Sequence, residues 1–179
     1  QKSLQLKTTE NLYKSVDGYG LKSFSSGIGL SDWIVDGVNR VPSDVFIKCI
    51  KVRAAVLYNK LRASRGRPLA DTSCDAGCRI PESLGHMIQI CPKSDGPRRE
   101  RHDIIVRKLE EKFQSKGFIT KVEPRIKTEM GLRIPDFCAW KDDQYFVCDV
   151  SVVSDLANLN EEHDRKIRKY DIRDVHAWK

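Results

Sequence analysis

The sequence predicts a mixed α/β fold: a mixed sheet flanked by helices, preceded by a basic α-helical segment and a small cysteine/histidine knuckle. Three observations carry this. Apolar residues recur at helical spacing from Ser43 to about Ala63 and again from about Pro97 to Ser115. From Phe118 the period shortens to short strand-like runs bounded by turn residues, before "NLNEEHDRKIRKY" returns to a helical pattern. Between the two helical stretches, three cysteines and a histidine crowd into 18 residues. Helix, three strands, helix and a last strand is the order of an α/β unit rather than of a bundle.

Taken in order, residues 1 to 30 carry Gly18, Gly20, Gly27 and Gly29 among serines with no sustained period, which predicts an extended or looping lead-in with one short strand. "LSDWIVDGV" reads as a short helix capped by Ser31 or Asp32, with Gly37 near its end. In the helix from Ser43 to about Ala63, Phe46, Ile50, Ala54, Leu57 and Leu61 form one buried stripe. "RGRPLAD" breaks that helix. The helix from about Pro97 places Ile105, Leu109 and Phe113 at four-residue steps and stops at Gly117. "FITKVEPRIK" then reads as a strand, "MGLR" as a turn, "IPDFCAW" as a second strand, "KDDQ" as a tight turn and "YFVCDVSVV" as a third, with "RDVHAWK" opening a further one. Three segments follow: 1–70, the basic lead-in; 71–96, the knuckle; and 97–179, the α/β domain.

Its 179 residues are enough for one ordinary domain, or for a compact domain with a smaller appendage, and 40% hydrophobic with 32% charged residues is the composition of a globular protein. No apolar run approaches the roughly 18–20 residues that span a bilayer, so no membrane partner is expected. The start at Gln1, with no apolar leader behind it, reads as a piece of a longer protein. The net charge of +7 favours a polyanionic partner. No acid lies between Asp44 and Asp71, where Lys48, Lys51, Arg53, Lys60, Arg62, Arg65 and Arg67 gather; this is either a nucleic-acid face or a solvated basic one.

Cys74, Cys78, His86 and Cys91 are spaced x3, x7 and x4. Two close pairs of soft or borderline ligands joined by a short loop are what a tetrahedral structural zinc requires. The His86 to Cys91 interval suits a helical turn followed by the chain's exit. A closed four-ligand site leaves no position for a substrate, so this zinc would hold structure. Cys49, Cys138 and Cys148 sit in apolar surroundings as small hydrophobes, and six cysteines so distributed fit a reducing compartment. "GPRRERH" adds Arg98, Arg99, Arg101 and His102, the arginines either on phosphates or in the solvated first turn of a helix, the histidine a surface or core residue.

On the last of the three strands Phe146, Cys148, Val150 and Val152 alternate with Tyr145, Val147, Asp149 and Ser151, so the first set can face a core while Asp149 and Ser151 share the other side. On the preceding strand Asp136 lies on the opposite face from Pro135 and Phe137, and the short "KDDQ" turn brings the two strands side by side. Two carboxylates converging on one cleft repel each other unless a cation joins them, and hard oxygen ligands select magnesium or manganese. The alternative is structural: Asp136 caps a turn and Asp149 pairs with a basic residue.

Pro135-Asp136, twelve intervening residues and Asp149 resemble the PD-(D/E)xK nuclease superfamily. Its lysine, expected two positions after the second acid, is Ser151 here, while Lys166 and Lys169 in the following helix stand where a displaced lysine can return to the cleft. The order of the Cys-Cys-His-Cys knuckle, "RRERH", the Pro-Asp pair, the second acid and "KIRKY" resembles the C-terminal region of site-specific non-LTR retrotransposon proteins with a restriction-like endonuclease, from about Trp33 to Tyr170.

The resemblance implies a restriction-endonuclease-like fold and a DNA endonuclease that nicks its target so that a 3′-hydroxyl primes reverse transcription. It assigns magnesium (or manganese) to Asp136 and Asp149, catalysis to these two with Lys166, and structural zinc to Cys74, Cys78, His86 and Cys91. Lys169 is second choice for the lysine and otherwise a nucleic-acid contact with Arg65, Arg67, Arg98, Arg99, Arg101 and Arg125. The partners implied are target DNA, the element's RNA and the reverse transcriptase portion of the same polyprotein, in the nucleus. The acid that many such nucleases carry on the preceding helix has only Glu110 and Glu111 as candidates. Two other readings stay open: a catalytically silent nucleic-acid-binding module of the same fold, and a zinc-stabilised protein-interaction domain with structural aspartates.

Overall fold

The computed structural model describes residues 2–15, 17–18, 21–22, 32–68, 70–154, 157–171 and 175. They fall into two compact units, Gln1–Lys93 and Ser94–Lys179. The lead-in and the knuckle share the first, and the α/β architecture expected from the sequence is found in the second.

In the first unit the helices are α1 (Lys2–Lys14), α2 (Asp32–Arg40), α3 (Ser43–Arg53), α4 (Lys60–Ala63) and α5 (Leu84–Gln89). Three expectations need correction. The N-terminal stretch is helical over Lys2–Lys14 rather than looping; its Leu4 and Leu6 are exposed, so no buried stripe marked it in the sequence. The other part of the lead-in, including the short strand, lies outside the described residues except for 15, 17–18 and 21–22. The single helix expected over 43–63 is two, because Ala55 adopts a left-handed φ of 56° and the chain only restarts at Asn59, whose side chain caps α4 by accepting from the Arg62 amide at 2.9 Å. The expected stripe is not buried either: α3 and α4 contain no buried residue. α2 and α3 meet where Gly37 leaves room for the Phe46 ring, which stands edge-on to Trp33 at 5.8 Å.

In the second unit α6 (Asp95–Ser115) ends as predicted at Gly117, whose φ of 84° lets Phe118 N–H reach the Phe113 carbonyl at 3.1 Å. β1 (Ile119–Val122), β4 (Phe137–Lys141) and β5 (Gln144–Cys148) form an antiparallel sheet in the order β1-β4-β5, and β2 (Ile126–Thr128) pairs with β3 (Gly131–Arg133) as a separate ribbon. Thus "FITKVEPRIK" is two strands, broken at Glu123-Pro124 where φ of Glu123 is 44°, and "MGLR" supplies a strand rather than a turn only. The "KDDQ" turn is as expected, with Asp142 at φ 51°. β4 begins at Phe137 and β5 ends at Cys148, so Asp136 and Asp149, both expected within strands, lie just outside them. α7 (Leu159–Tyr170) begins at Asn158, whose side chain caps the Asn160 amide at 3.1 Å. Of the proposed last strand only Val175 is described, and it is helical and buried. Among the described residues no helix is long and apolar enough to cross a membrane.

Both faces of the three-stranded sheet are covered, which corrects the expectation of one core face. Register pairs Ala139 with Phe146, and with Phe137 these face α6, where Phe113 meets Phe137 at 5.6 Å and Phe146 at 5.4 Å. The alternate residues Cys138, Trp140, Tyr145 and Val147 pack with Ile126, Tyr170 and Val175 on the other face.

Candidate active site and metal centre

In the first unit, α5 and the loops around it bring the four predicted zinc ligands together. One ligand atom from each of Cys74, Cys78, His86 and Cys91 lies within 4.8 Å of all the others. Ser83 caps α5 by accepting from His86 N–H at 3.1 Å, and the Cys91 amide closes the helix on the His86 carbonyl at 2.9 Å, so the last two ligands are fixed by helix termination. Cys74 and Cys91 sulfurs stand 3.7 Å apart. In a regular tetrahedron that edge corresponds to a centre about 2.3 Å from each sulfur, the zinc–thiolate length. His86 is 5% exposed, and neither ring nitrogen has a hydrogen-bond partner. A buried imidazole with both nitrogens idle is costly unless one is a ligand. Burial, then the hydrogen bonds and charges of Cys74 and Cys91, push the Cys78 thiol up to about 11. The donor set fits a structural zinc.

The basic residues of the same unit are largely met internally. Arg62 and Arg65 converge on Asp17, Arg65 at 2.8 Å, and their hydrogen bonds hold that carboxyl at about 2. Lys48 pairs with Asp44 at 3.0 Å, and Lys60 with Asp75. Arg67 is exposed.

In the second unit the hairpin register Phe137↔Cys148 continues to Asp136 opposite Asp149, one step past the last pair, on the face that α7 covers. Asp136 Oδ2 accepts from the Val150 amide at 2.5 Å and lies 3.3 Å from His102 Nε2 on α6. Asp149 Oδ2 accepts from Lys166 at 2.7 Å and from Lys169 at 3.3 Å, the two lysines one turn apart on α7. The environments push the carboxyls apart. Burial raises Asp136, helped by the charge of Asp149 and opposed by the Val150 amide and His102. Burial also works against the Asp149 anion, but the hydrogen bond and charge of Lys166, with Lys169 behind it, more than offset this and hold it below the usual range. His102 is raised, first by its hydrogen bond to Asp103 and further by the charge of Asp136. Tyr170 donates to the Ile134 carbonyl at 3.2 Å, and burial raises its phenol. A cavity of about 290 Å³ opens beside these groups, lined by Tyr145, Val147, Asp149, Lys166, Ile167 and Tyr170.

The structure therefore brings Asp136, Asp149, Lys166 and Lys169 together. It places Arg125 in the exposed link between β1 and β2, and Arg98 and Arg99 on Asp95 in the first turn of α6, at 2.8 and 2.6 Å. Arg101 is half-buried on the same helix. Glu110 is engaged with Gln114 and Thr120, at 3.1 and 2.7 Å, and from the same helix His102 reaches Asp136. Sequence reasoning leaves His102 as a surface or core histidine; the signal for it is a place two helical turns before Leu109, on a helix that packs on the sheet. The two carboxylates offer hard oxygen donors of the kind a divalent cation takes, and Oδ2 of each is already engaged, on Asp136 by the Val150 amide and His102 and on Asp149 by Lys166 and Lys169, the ion pairing that the structural alternative expects of Asp149.

Comparison with known proteins finds relatives for the chain that carries this cysteine/histidine cluster and mixed α/β unit. No family model matches the chain. It is homologous to Pol polyproteins of R2 non-LTR retrotransposable elements: 32% identical over 164 residues, 92% of the chain, to the "Retrovirus-related Pol polyprotein from type-2 retrotransposable element R2DM" of Drosophila melanogaster. The type-1 element R2 Pol polyprotein of Nasonia vitripennis is 33% identical over 171 residues, 95% of the chain. One from Popillia japonica is 40% identical over 106 residues, 56% of the chain. The chain spans 16%, 17% and 24% of the lengths of these three relatives.

Proposed function

We propose that this chain is the DNA endonuclease region of an R2-type polyprotein, nicking target DNA to leave a 3′-hydroxyl primer for reverse transcription of the element's RNA. The observation that carries this is the cross-strand pair Asp136 and Asp149 with Lys166 at 2.7 Å, supplied by α7 in place of Ser151. Asp136 and Asp149 would hold magnesium or manganese, which when bound supplies an activated water and countercharge for the phosphate. Lys166, 19% exposed against 42% for Lys169, is the better-placed cation to stabilise negative charge developing on the phosphate. His102 and the Val150 amide hold Asp136 in place from the other side. Arg65, Arg67, Arg98, Arg99, Arg101, Arg125 and Lys169 are the phosphate contacts of this reading, with zinc on Cys74, Cys78, His86 and Cys91 holding the first unit together. Its partners are target DNA, element RNA and the reverse transcriptase portion of the polyprotein, in the nucleus.

The test is nicking of a supercoiled plasmid by this chain with magnesium or manganese, beside Asp149→Ala. Cutting by the parent alone, with DNA binding retained by the variant, is the expected result. DNA binding without cutting by either, even when the rest of the polyprotein is supplied, would favour the silent module that Ser151 keeps in view.

A further inference from the structure

The β2–β3 ribbon is separate from the main sheet, and its two faces differ. Register pairs Ile126 with Arg133 and Thr128 with Gly131, and this face turns inward on the buried Ile126. The opposite face carries Lys127 paired with Leu132, and the tip carries Met130, 71% exposed. Leu132 and Ile134 are exposed as well, as are Arg125 and Lys127. Between Arg125 and Ile134 there are three cations, Arg125, Lys127 and Arg133, and one acid, Glu129.

The ribbon is braced against the candidate active site. Arg133 donates through Nε to the Lys169 carbonyl at 3.1 Å and through Nη1 to the Met130 and Leu132 carbonyls at 3.2 and 3.3 Å, tying the tip to the end of α7. The Tyr170 hydroxyl bonds the Ile134 carbonyl at 3.2 Å from the same turn that presents Lys169 to Asp149. A polymer whose phosphate lay at Asp149 and Lys166 would run beside this ribbon.

We propose, resting on the nuclease reading, that the β2–β3 ribbon enters the major groove of the duplex flanking the cleaved phosphate. Met130 and Leu132 make apolar contact with base edges, and Lys127 and Arg125 meet the bordering phosphates. A two-stranded ribbon fits that groove, and exposed aliphatic side chains there distinguish the thymine methyl. Interleaved cations and aliphatics complement a polyanion whose major groove displays thymine methyls among its polar base edges.

The test is binding of the full chain to a DNA duplex, without divalent cation so that cleavage plays no part, and to an RNA duplex of the same sequence. Met130→Ser with Leu132→Ser should weaken DNA binding roughly tenfold with an unchanged salt slope. Lys127→Ala should lower the slope by about one. Affinity for the RNA duplex, whose major groove is too narrow for the ribbon, should not change. Met130→Leu should retain parental affinity, and melting temperatures should stay at the parental value because these side chains are exposed. Duplex binding by the parent with equal binding by the double variant and by Lys127→Ala would overturn the ribbon's role and leave the nuclease reading standing. Equal losses on RNA and DNA would overturn it too; failure of the parent to bind any duplex while it nicks plasmid with magnesium would overturn the ribbon's role alone, and failure at both, with the rest of the polyprotein supplied, would overturn both.

Discussion

Removing zinc is expected to unfold Gln1–Lys93 while Ser94–Lys179 stays folded. The buried side chains of the first unit, among the described residues, are Cys74, Cys91, His86 and Asn59, three of which are candidate ligands. A fully buried aliphatic or aromatic side chain contributes about 1.5–3 kcal/mol, and here the described apolar contacts, such as Trp33 with Phe46, are only half-buried. A structural zinc contributes an apparent 10–16 kcal/mol or so near neutral pH, which is on the scale of a whole domain's roughly 5–15 kcal/mol. Shared equally over four ligands, the loss of one costs about 3 kcal/mol, enough to make Cys78→Ser marginal and full chelation decisive. Hydrogen exchange on the intact chain, with zinc released and counted, is the assay. One zinc per chain is expected, with amide protection across Lys60 to Cys91 collapsing on chelation and that of β4 and β5 persisting. Unchanged protection after chelation, or a protein isolated without zinc and equally stable, would refute the reasoning.

Lys166→Ala should reduce nicking by about 10²–10³, on the scale of losing one preorganised electrostatic donor, and Lys169→Ala by less than about tenfold; single-turnover rates on plasmid distinguish them, and the reverse order would exchange their roles. His102→Ala should shift the magnesium dependence of nicking to higher concentration by about 10–100-fold through loss of the contact that orients Asp136, with saturating rates changing less. Gly37→Ala should lower the melting temperature of the zinc-loaded protein even though alanine is worth about 1 kcal/mol more in a helix, because its Cβ would stand 2.5 Å from the Phe46 ring and overpacking costs about 1–3 kcal/mol.

What the sequence disclosed depended on the range of the interaction. The meeting of Cys74, Cys78, His86 and Cys91 was legible because four donors in 18 residues must close a local loop, and the β4–β5 hairpin because "KDDQ" joins two apolar runs. α6 and its stop were legible from a four-residue apolar step and Gly117. The break after α3 was not, since Ala55 takes a left-handed conformation with no glycine or proline to announce it. Nor was α1, whose leucines face solvent and leave no buried period. The two-sided sheet was missed because alternation reads as one buried face, whereas Phe146 meets Phe113 and Phe118 while Val147 packs on the opposite cluster. His102 at Asp136 and Asp17 at Arg62 and Arg65 are tertiary meetings, between partners 34 and 45 or more positions apart, that no local pattern encodes.

The hairpin that sets Asp136 opposite Asp149 turns through Asp142 and Asp143, so the interval between the acids is governed by phase and not by length. One residue added to each arm would lengthen the hairpin and leave the carboxylates facing each other. A residue added to a single arm would send one of them to the aromatic face beneath α6 unless a bulge absorbed it. Insertions between the two acids should therefore survive in pairs, and an odd one should be accompanied by a bulge that restores the beat.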